Sequence, residues 1–121
     1  MSVTVNRPTT LPVPEHPHPN DVDRKRIERA LLERKRYRYV EPSVAPATDG
    51  YRITSPCCSR NIDTAGGIID IAFVQHVQAG NRWRLYRMDH TARQWVLCAE
   101  LARLRELLQQ LNDDTQRMFW Q

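Results

Sequence analysis

Residues 69–98 read IDIAFVQHVQAGNRWRLYRMDHTARQWVLC, and this stretch decides the fold. Bulky side chains recur at every second position, first at Ile71 and Phe73 and later at Trp83 and Leu85. A period of two is typical of half-buried β-strands, and two polar turns divide the stretch into three such segments. The pattern therefore predicts an antiparallel meander with one good core face.

Loop length decides which of these side chains share a face. A three-residue loop over residues 79–81 places Val77 opposite Trp83, and a similar loop in the next turn places Leu85 opposite Trp95. This register puts the tryptophans on the core side. The other side of the sheet is then too apolar for bare surface and is the predicted partner face, which comprises Val74, His76, Arg84, Tyr86, Met88 and Val96.

Sequence outside the meander predicts a tail, two helices and two further short strands. Residues 1–20 hold five of the eight prolines, which indicates an extended or disordered tail in which His16 and His18 are compositional. An N-terminal basic helix is predicted over residues 21–35, and leucines spaced by three and four predict a C-terminal helix over residues 99–111. Aromatic and β-branched residues near 37–40 and 51–53 predict the remaining strands.

These elements predict a single α+β domain over residues 21–121, with both helices packed on an antiparallel sheet of four or five strands. A length of 121 residues excludes a multidomain enzyme. No apolar run approaches the roughly 18 residues that a membrane span needs, so we expect no membrane partner. The N-terminus lacks a secretory signal and the three cysteines form no disulfide framework, which predicts a cytoplasmic protein.

Positive charge is concentrated in the N-terminal helix. Between Arg24 and Arg38 there are eight basic and two acidic residues, whereas the whole chain carries a net charge of only +4. Arginine binds phosphate in a bidentate way, so this helix is a candidate nucleic-acid contact. The candidate phosphate ligands are Arg24, Lys25, Arg26, Arg29, Arg34, Lys35 and Arg36. The alternative is a solvated helix, because Arg24 with Glu28 and Arg29 with Glu33 form i,i+4 pairs.

One short motif and the chain end resemble a known bacterial family. Trp83, Leu85, Tyr86, Asp89 and Trp95, followed by a leucine-rich helix and then Phe119-Trp120, are similar to domain of unknown function 3024 over about residues 21–121. The chain departs from that pattern at Gln121, where glycine is expected, and in its loop around Cys57. The resemblance implies an α+β fold and implies no activity.

Thiols and imidazoles raise two chemical alternatives. Cys58 has Arg60 nearby, which would favour a reactive thiolate, and His90 is the nearest candidate base. Zinc could be bound by the set Cys57, Cys58, Cys98, His76 and His90, but no Cys-x-x-Cys or His-x-x-x-His spacing is present. We therefore predict no metal and no cofactor.

The function that the sequence favours is that of a non-enzymatic adaptor or regulatory module. Its expected partner is a protein or a second copy of the chain on the sheet, with nucleic acid as a further candidate through the basic helix. The alternative is a small thiol-dependent enzyme or redox sensor centred on Cys58.

Overall fold

The computed structural model describes residues 17–35, 40–56 and 67–120. The elements in chain order are α1 (Asp21–Leu31), β1 (Ser43–Ala47), β2 (Gly50–Pro56), β3 (Ile68–Val77), β4 (Arg82–Asp89), β5 (Gln94–Leu101) and α2 (Leu104–Asp113). The strands form one sheet in the order β1-β2-β3-β4-β5, and each neighbouring pair is antiparallel. The predicted α+β class, the meander and the helix at each end are confirmed.

The first helix begins where the sequence predicts. The side chain of Asn20 accepts a hydrogen bond from the backbone N–H of Asp23, and acidic residues occupy the first turn. The helix ends at Leu31, four residues earlier than predicted, because the Arg34 side chain turns back and donates to the Leu31 carbonyl at 2.7 Å.

Both helices pack on the same face of the sheet. The core combines the helical stripes with inward-facing strand residues, and it includes Ile27, Leu31, Tyr51, Ile53, Val74, Trp83, Leu85, Leu107, Leu111, Phe119 and Trp120. Gly50 permits the close pairing of β2 with β3, because a Cβ there would lie 2.0 Å from the carbonyl oxygen of Val74. No helix in the described ranges is long and apolar enough to cross a membrane.

The hairpin between β3 and β4 has a four-residue loop, so the predicted register is wrong by one residue. Val77 lies opposite Arg82, and Trp83 lies opposite His76. Gln78 is the additional residue of the loop, and Gly80 and Asn81 both adopt positive φ, at 80° and 50°. Because strand side chains alternate with a period of two, this shift moves Phe73 to the face opposite Trp83.

The last hairpin also has a four-residue loop instead of three, and Trp95 lies opposite Met88 instead of the predicted Leu85. Its loop covers residues 90–93, since Asp89 pairs with Gln94 and Met88 pairs with Trp95. A bulge between Leu85 and Tyr86 then shifts the strand pairing by one residue. As a result, Leu101 lies opposite Trp83 on the core side of the sheet. Residues 94–101 consequently belong to β5, and the leucine-rich helix covers Leu104–Asp113, not residues 99–111.

The chain end docks on the core through one carboxylate. Asp114, at φ 40°, follows α2 and accepts hydrogen bonds from the backbone N–H groups of Met118, Phe119 and Trp120 at 2.7 to 3.3 Å. The indole N–H of Trp120 donates to the carbonyl of Leu111 at 3.1 Å. These bonds hold both terminal aromatic rings in the core.

Candidate functional site

Neither described helix covers the second face of the sheet, here called the open face. It is formed by outward-pointing residues of β2 to β5 and comprises Arg52, Thr54, Asp70, Phe73, Gln75, Val77, Arg82, Arg84, Tyr86, Met88, Trp95, Leu97 and Glu100. Leu97 is 51% exposed on this face. An apolar surface with no cover from its own helices is typical of a binding site.

Three aromatic side chains on neighbouring strands form the centre of the open face. The ring centroid of Phe73 on β3 lies 5.8 Å from that of Tyr86 on β4 and 5.8 Å from that of Trp95 on β5. The two interplanar angles are each 38°. We call these three residues the aromatic row. All three rings are partly exposed, so a partner could contact them without any rearrangement of the core.

Guanidinium groups flank the aromatic row, and each is paired with a carboxylate of the same face. Arg52 donates to Asp70 at 2.9 Å, with side-chain exposures of 55% and 17%. Arg82 and Arg84 share the single carboxylate of Glu100, at 2.9 and 2.8 Å. The Arg84 and Arg82 guanidiniums hold the pKa of Glu100 below its usual value. The open face therefore combines aromatic rings with ion-paired arginines.

A cavity of about 550 Å³ lies at one end of the open face. It is found where β3 runs past the start of β2, since Gln75 pairs with Gly50 and the last two residues of β3 extend beyond it. Gln75 and Arg84 line this cavity and also belong to the open face, so the two surfaces are continuous. The other wall carries His18 and His76.

The two histidines of the cavity wall are packed ring against ring. The centroids of His18 and His76 lie 4.3 Å apart, and both rings contact Trp83, at 4.7 and 4.8 Å. Nδ1 of His18 lies 2.8 Å from the hydroxyl of Tyr51, whose oxygen accepts the backbone N–H of Asn20. The Tyr51 hydroxyl can donate to Nδ1 when this nitrogen of His18 is unprotonated.

Burial favours the neutral form of His18. Desolvation, followed by the effect of His76, lowers the pKa of His18, and the carboxylate of Asp23 at 3.5 Å only partly offsets them. Nε2 of His76 lies 2.8 Å from Oδ1 of Asn81, so this nitrogen carries a proton. The residues just before α1 are thus held to the sheet by specific polar contacts.

The candidate phosphate ligands of α1 do not form one cationic surface. Arg24 binds Glu28 and Asp21, Arg26 binds Asp23, and Lys35 binds Asp113. Arg34 is only 2% exposed and donates to the Leu31 and Val40 carbonyls, with its guanidinium 5.1 Å from the centre of the Trp120 ring. Lys25 and Arg29 are exposed, and Arg36 lies outside the described residues.

The residues of the predicted partner face are divided between the two sides of the sheet. Arg84, Tyr86 and Met88 lie on the open face. Val74 is fully buried and His76 is 8% exposed, because both belong to the side that the helices cover. Val96 pairs with Arg87, on the side opposite Tyr86. Phe73, Trp95 and Leu97 are the open-face residues that the predicted register missed.

The candidate thiol and metal ligands provide no assembled site in the described residues. Cys57 and Cys58 lie outside those residues, and so does Arg60. Burial raises the pKa of the Cys98 thiol, which disfavours the reactive thiolate. Burial also lowers the pKa of His90. Within residues 17–35, 40–56 and 67–120, no three His, Cys, Asp or Glu side chains are grouped to hold a metal ion.

Comparison with known proteins identifies the family of this chain. A family model described as domain of unknown function (DUF3024) matches residues 13–121. No curated protein and no solved structure matches the chain. The family match includes both helices, all five strands of the sheet and the aromatic row. The chain therefore belongs to the DUF3024 family.

Proposed function

We propose that this protein is a non-enzymatic cytoplasmic binding module that holds single-stranded nucleic acid on its open face. The observation that carries the proposal is the aromatic row, which spans three adjacent strands and is flanked by exposed guanidiniums. Unpaired bases stack on aromatic rings with little dependence on sequence, and arginines bind the phosphates between them.

Charge favours an anionic partner such as a nucleic acid over a basic or neutral protein surface. The three arginines of the open face, Arg52, Arg82 and Arg84, exceed its two carboxylates, and the chain as a whole carries a net charge of +4. Ion pairs at an exposed surface contribute at most about 1 kcal/mol. These arginines can therefore exchange a carboxylate for a phosphate at little cost.

Shape favours a single strand over a duplex. The aromatic rings lie on the surface of a sheet, where they can stack only on bases that are already unstacked. Duplex readers instead insert a helix or a β-ribbon into a groove. On α1, the other arginines bind carboxylates of the same helix, so Lys25 and Arg29 are the exposed basic side chains that this helix could bring to a groove.

Fluorescence anisotropy with a labelled oligothymidylate of about eight nucleotides tests the proposal, because such a length fits one stacking surface. At about 50 mM salt, the parent should bind, and Trp95→Ala should weaken binding roughly tenfold or more. Leu32→Ala is the matched control, since Leu32 is an exposed apolar residue that follows α1. Absence of binding, or equal affinity for the parent and Trp95→Ala, overturns the proposal.

A second copy of the chain is the competing occupant of the open face. Leu97 is 51% exposed, and Met88 and Trp95 pair next to it, which is the kind of apolar patch that protein interfaces use. Sedimentation equilibrium distinguishes the two cases. If the apparent molecular mass of the parent rises to that of a dimer with concentration, Trp95→Ala stays monomeric and no oligonucleotide binds, the open face is a self-association surface instead.

A further inference from the structure

We propose that the cavity beside the open face is a guanine subsite, formed where Asp49, Gln75 and the His18–His76 ring pair come together. This inference rests on the proposed function, since it gives the bound strand one base-specific contact. The volume of about 550 Å³ lies in the range of roughly 300–1,000 Å³ that small-ligand sites occupy, so a nucleotide fits.

The polar groups of the cavity have fixed and opposite hydrogen-bonding roles. The carboxylate of Asp49 can only accept hydrogen bonds when ionised. Oε1 of Gln75 already accepts the hydroxyl of Tyr86 at 2.8 Å, so the group that Gln75 offers is its NH₂ donor. Both residues line the same cavity. A ligand must therefore present donors to Asp49 and an acceptor to Gln75.

Guanine is the base whose edge has this pattern. Its N1–H and N2–H are adjacent, parallel donors that match the two oxygens of a carboxylate, and its O6 is an acceptor. Adenine and cytosine each present one N–H on this edge, whereas thymine and uracil present a single N–H between two acceptors that a carboxylate would repel. The pattern of Asp49 and Gln75 thus discriminates guanine from the other four bases.

The remaining walls suit a nucleotide in a strand that continues along the open face. The side chains of His18 and His76 line one wall of the cavity and pack against Trp83, so this wall is rigid. Arg84 lies at the junction between the cavity and the face, where it can bind the phosphate of the next nucleotide. Tyr86, which fixes Gln75, also belongs to the aromatic row, so the specific and non-specific contacts are coupled.

Two oligonucleotides that differ in one base provide the test. One is an oligothymidylate of about eight nucleotides, and the other has a single internal guanine. The parent should bind the guanine oligonucleotide about tenfold more tightly, which is the discrimination expected of one good bidentate contact. Replacing that guanine by inosine, which lacks the N2 amino group, should remove much of the preference.

Asp49→Asn should abolish the preference for guanine, while oligothymidylate still binds. Asparagine tolerates the positive φ of 61° at this position, so the turn is retained. Gln75→Glu is the second variant, because it keeps the acceptor for Tyr86 but replaces the NH₂ donor, and it should also lose the preference. Asp21→Asn, an exposed carboxylate on α1, is the matched control and should behave as the parent.

The outcomes separate this inference from the proposed function. If neither oligonucleotide binds, the proposed function fails and the subsite fails with it. If both bind the parent with equal affinity, or if Asp49→Asn retains the preference, the guanine subsite is wrong while binding on the open face stands.

Discussion

The rings of Phe73 and Trp95 pack against each other with centroids 5.8 Å apart, although their strands are separated by β4. The contact crosses above β4 and joins three strands on the face that the helices leave uncovered. Contacts between these rings stabilise the fold, and the outer surfaces of the rings are available to a partner. Substitutions of exposed and buried tryptophans separate these two contributions.

Trp95→Ala should destabilise the fold far less than Trp120→Ala. Trp120 is 1% exposed and fills the core, so its removal should cost about 3–5 kcal/mol in the free energy of unfolding. Trp95 loses only its contacts on the open face, and we expect about 1–2 kcal/mol. Urea denaturation of both variants measures the difference, and equal losses would place Trp95 in the core.

Asp114→Asn should unfold or loosen the C-terminal segment. The buried carboxylate accepts the backbone N–H groups of Met118, Phe119 and Trp120, and hydrogen bonds to a charged group contribute about 1.5–3 kcal/mol. We expect a loss of about 2–4 kcal/mol and a weaker near-ultraviolet circular dichroism signal. Asp113→Asn, which alters a neighbouring exposed carboxylate, should have a much smaller effect on both measurements.

Stability should fall as the pH drops below about 6.5. Burial lowers the pKa values of His18 and His90 from their usual value of 6.5, so the folded chain binds fewer protons than the unfolded chain below that pH. Their contribution is complete above pH 6.5 and is lost as the pH falls toward the lowered values. His18→Gln and His90→Gln should each flatten this limb in chemical denaturation between about pH 7 and 5.

A second, separate loss of stability is expected at more acidic pH. Hydrogen bonds to Ala92, Arg84 and Gln109 are the main causes that lower the pKa values of Asp89, Glu100 and Asp113 from usual values of 3.8 to 4.5. Their contribution is present above those values and is lost below them. A pH profile in which the histidine variants change only this acidic limb would contradict the assignment of the upper limb to His18 and His90.

The salt dependence of binding should be set by the open face and not by α1. Arg82→Ala should reduce the slope of log affinity against log salt by about 0.7, the value for one phosphate contact on a single strand. The double variant Lys25→Ala, Arg29→Ala should leave the slope near that of the parent. Anisotropy titrations at several salt concentrations give these slopes, and the reverse ranking would return the phosphate contacts to the basic helix.

Alternation and leucine spacing were sufficient to predict the sheet, the helices and their order, because these follow from burial of a repeated apolar stripe. The aromatic row could not be predicted, since its position depends on whether the loop after Val77 holds three or four residues. Gly80 and Asn81 both adopt positive φ in this loop, and such turn residues are compatible with either length. A tryptophan on a solvent face also violates the pattern that places large apolar residues inside.

The position of His18 on the sheet also could not be predicted from the sequence. Its contacts with Tyr51 and His76 join residues more than thirty positions apart, and nothing in a proline-rich tail indicates which ring it will meet. The sequence signal that could have located it is the capping residue Asn20, because a helix that starts there holds the preceding residues near the sheet.

Indole N–H signals in a ¹H–¹⁵N spectrum test the central claim most directly. The chain has three tryptophans, of which Trp83 and Trp120 are buried and only Trp95 lies on the open face. On titration with oligothymidylate, the Trp95 signal should move together with the backbone signals of Phe73 and Tyr86, while the Trp120 signal should stay in place. No movement at Trp95, or movement confined to α1, would contradict single-stranded nucleic-acid binding on the open face.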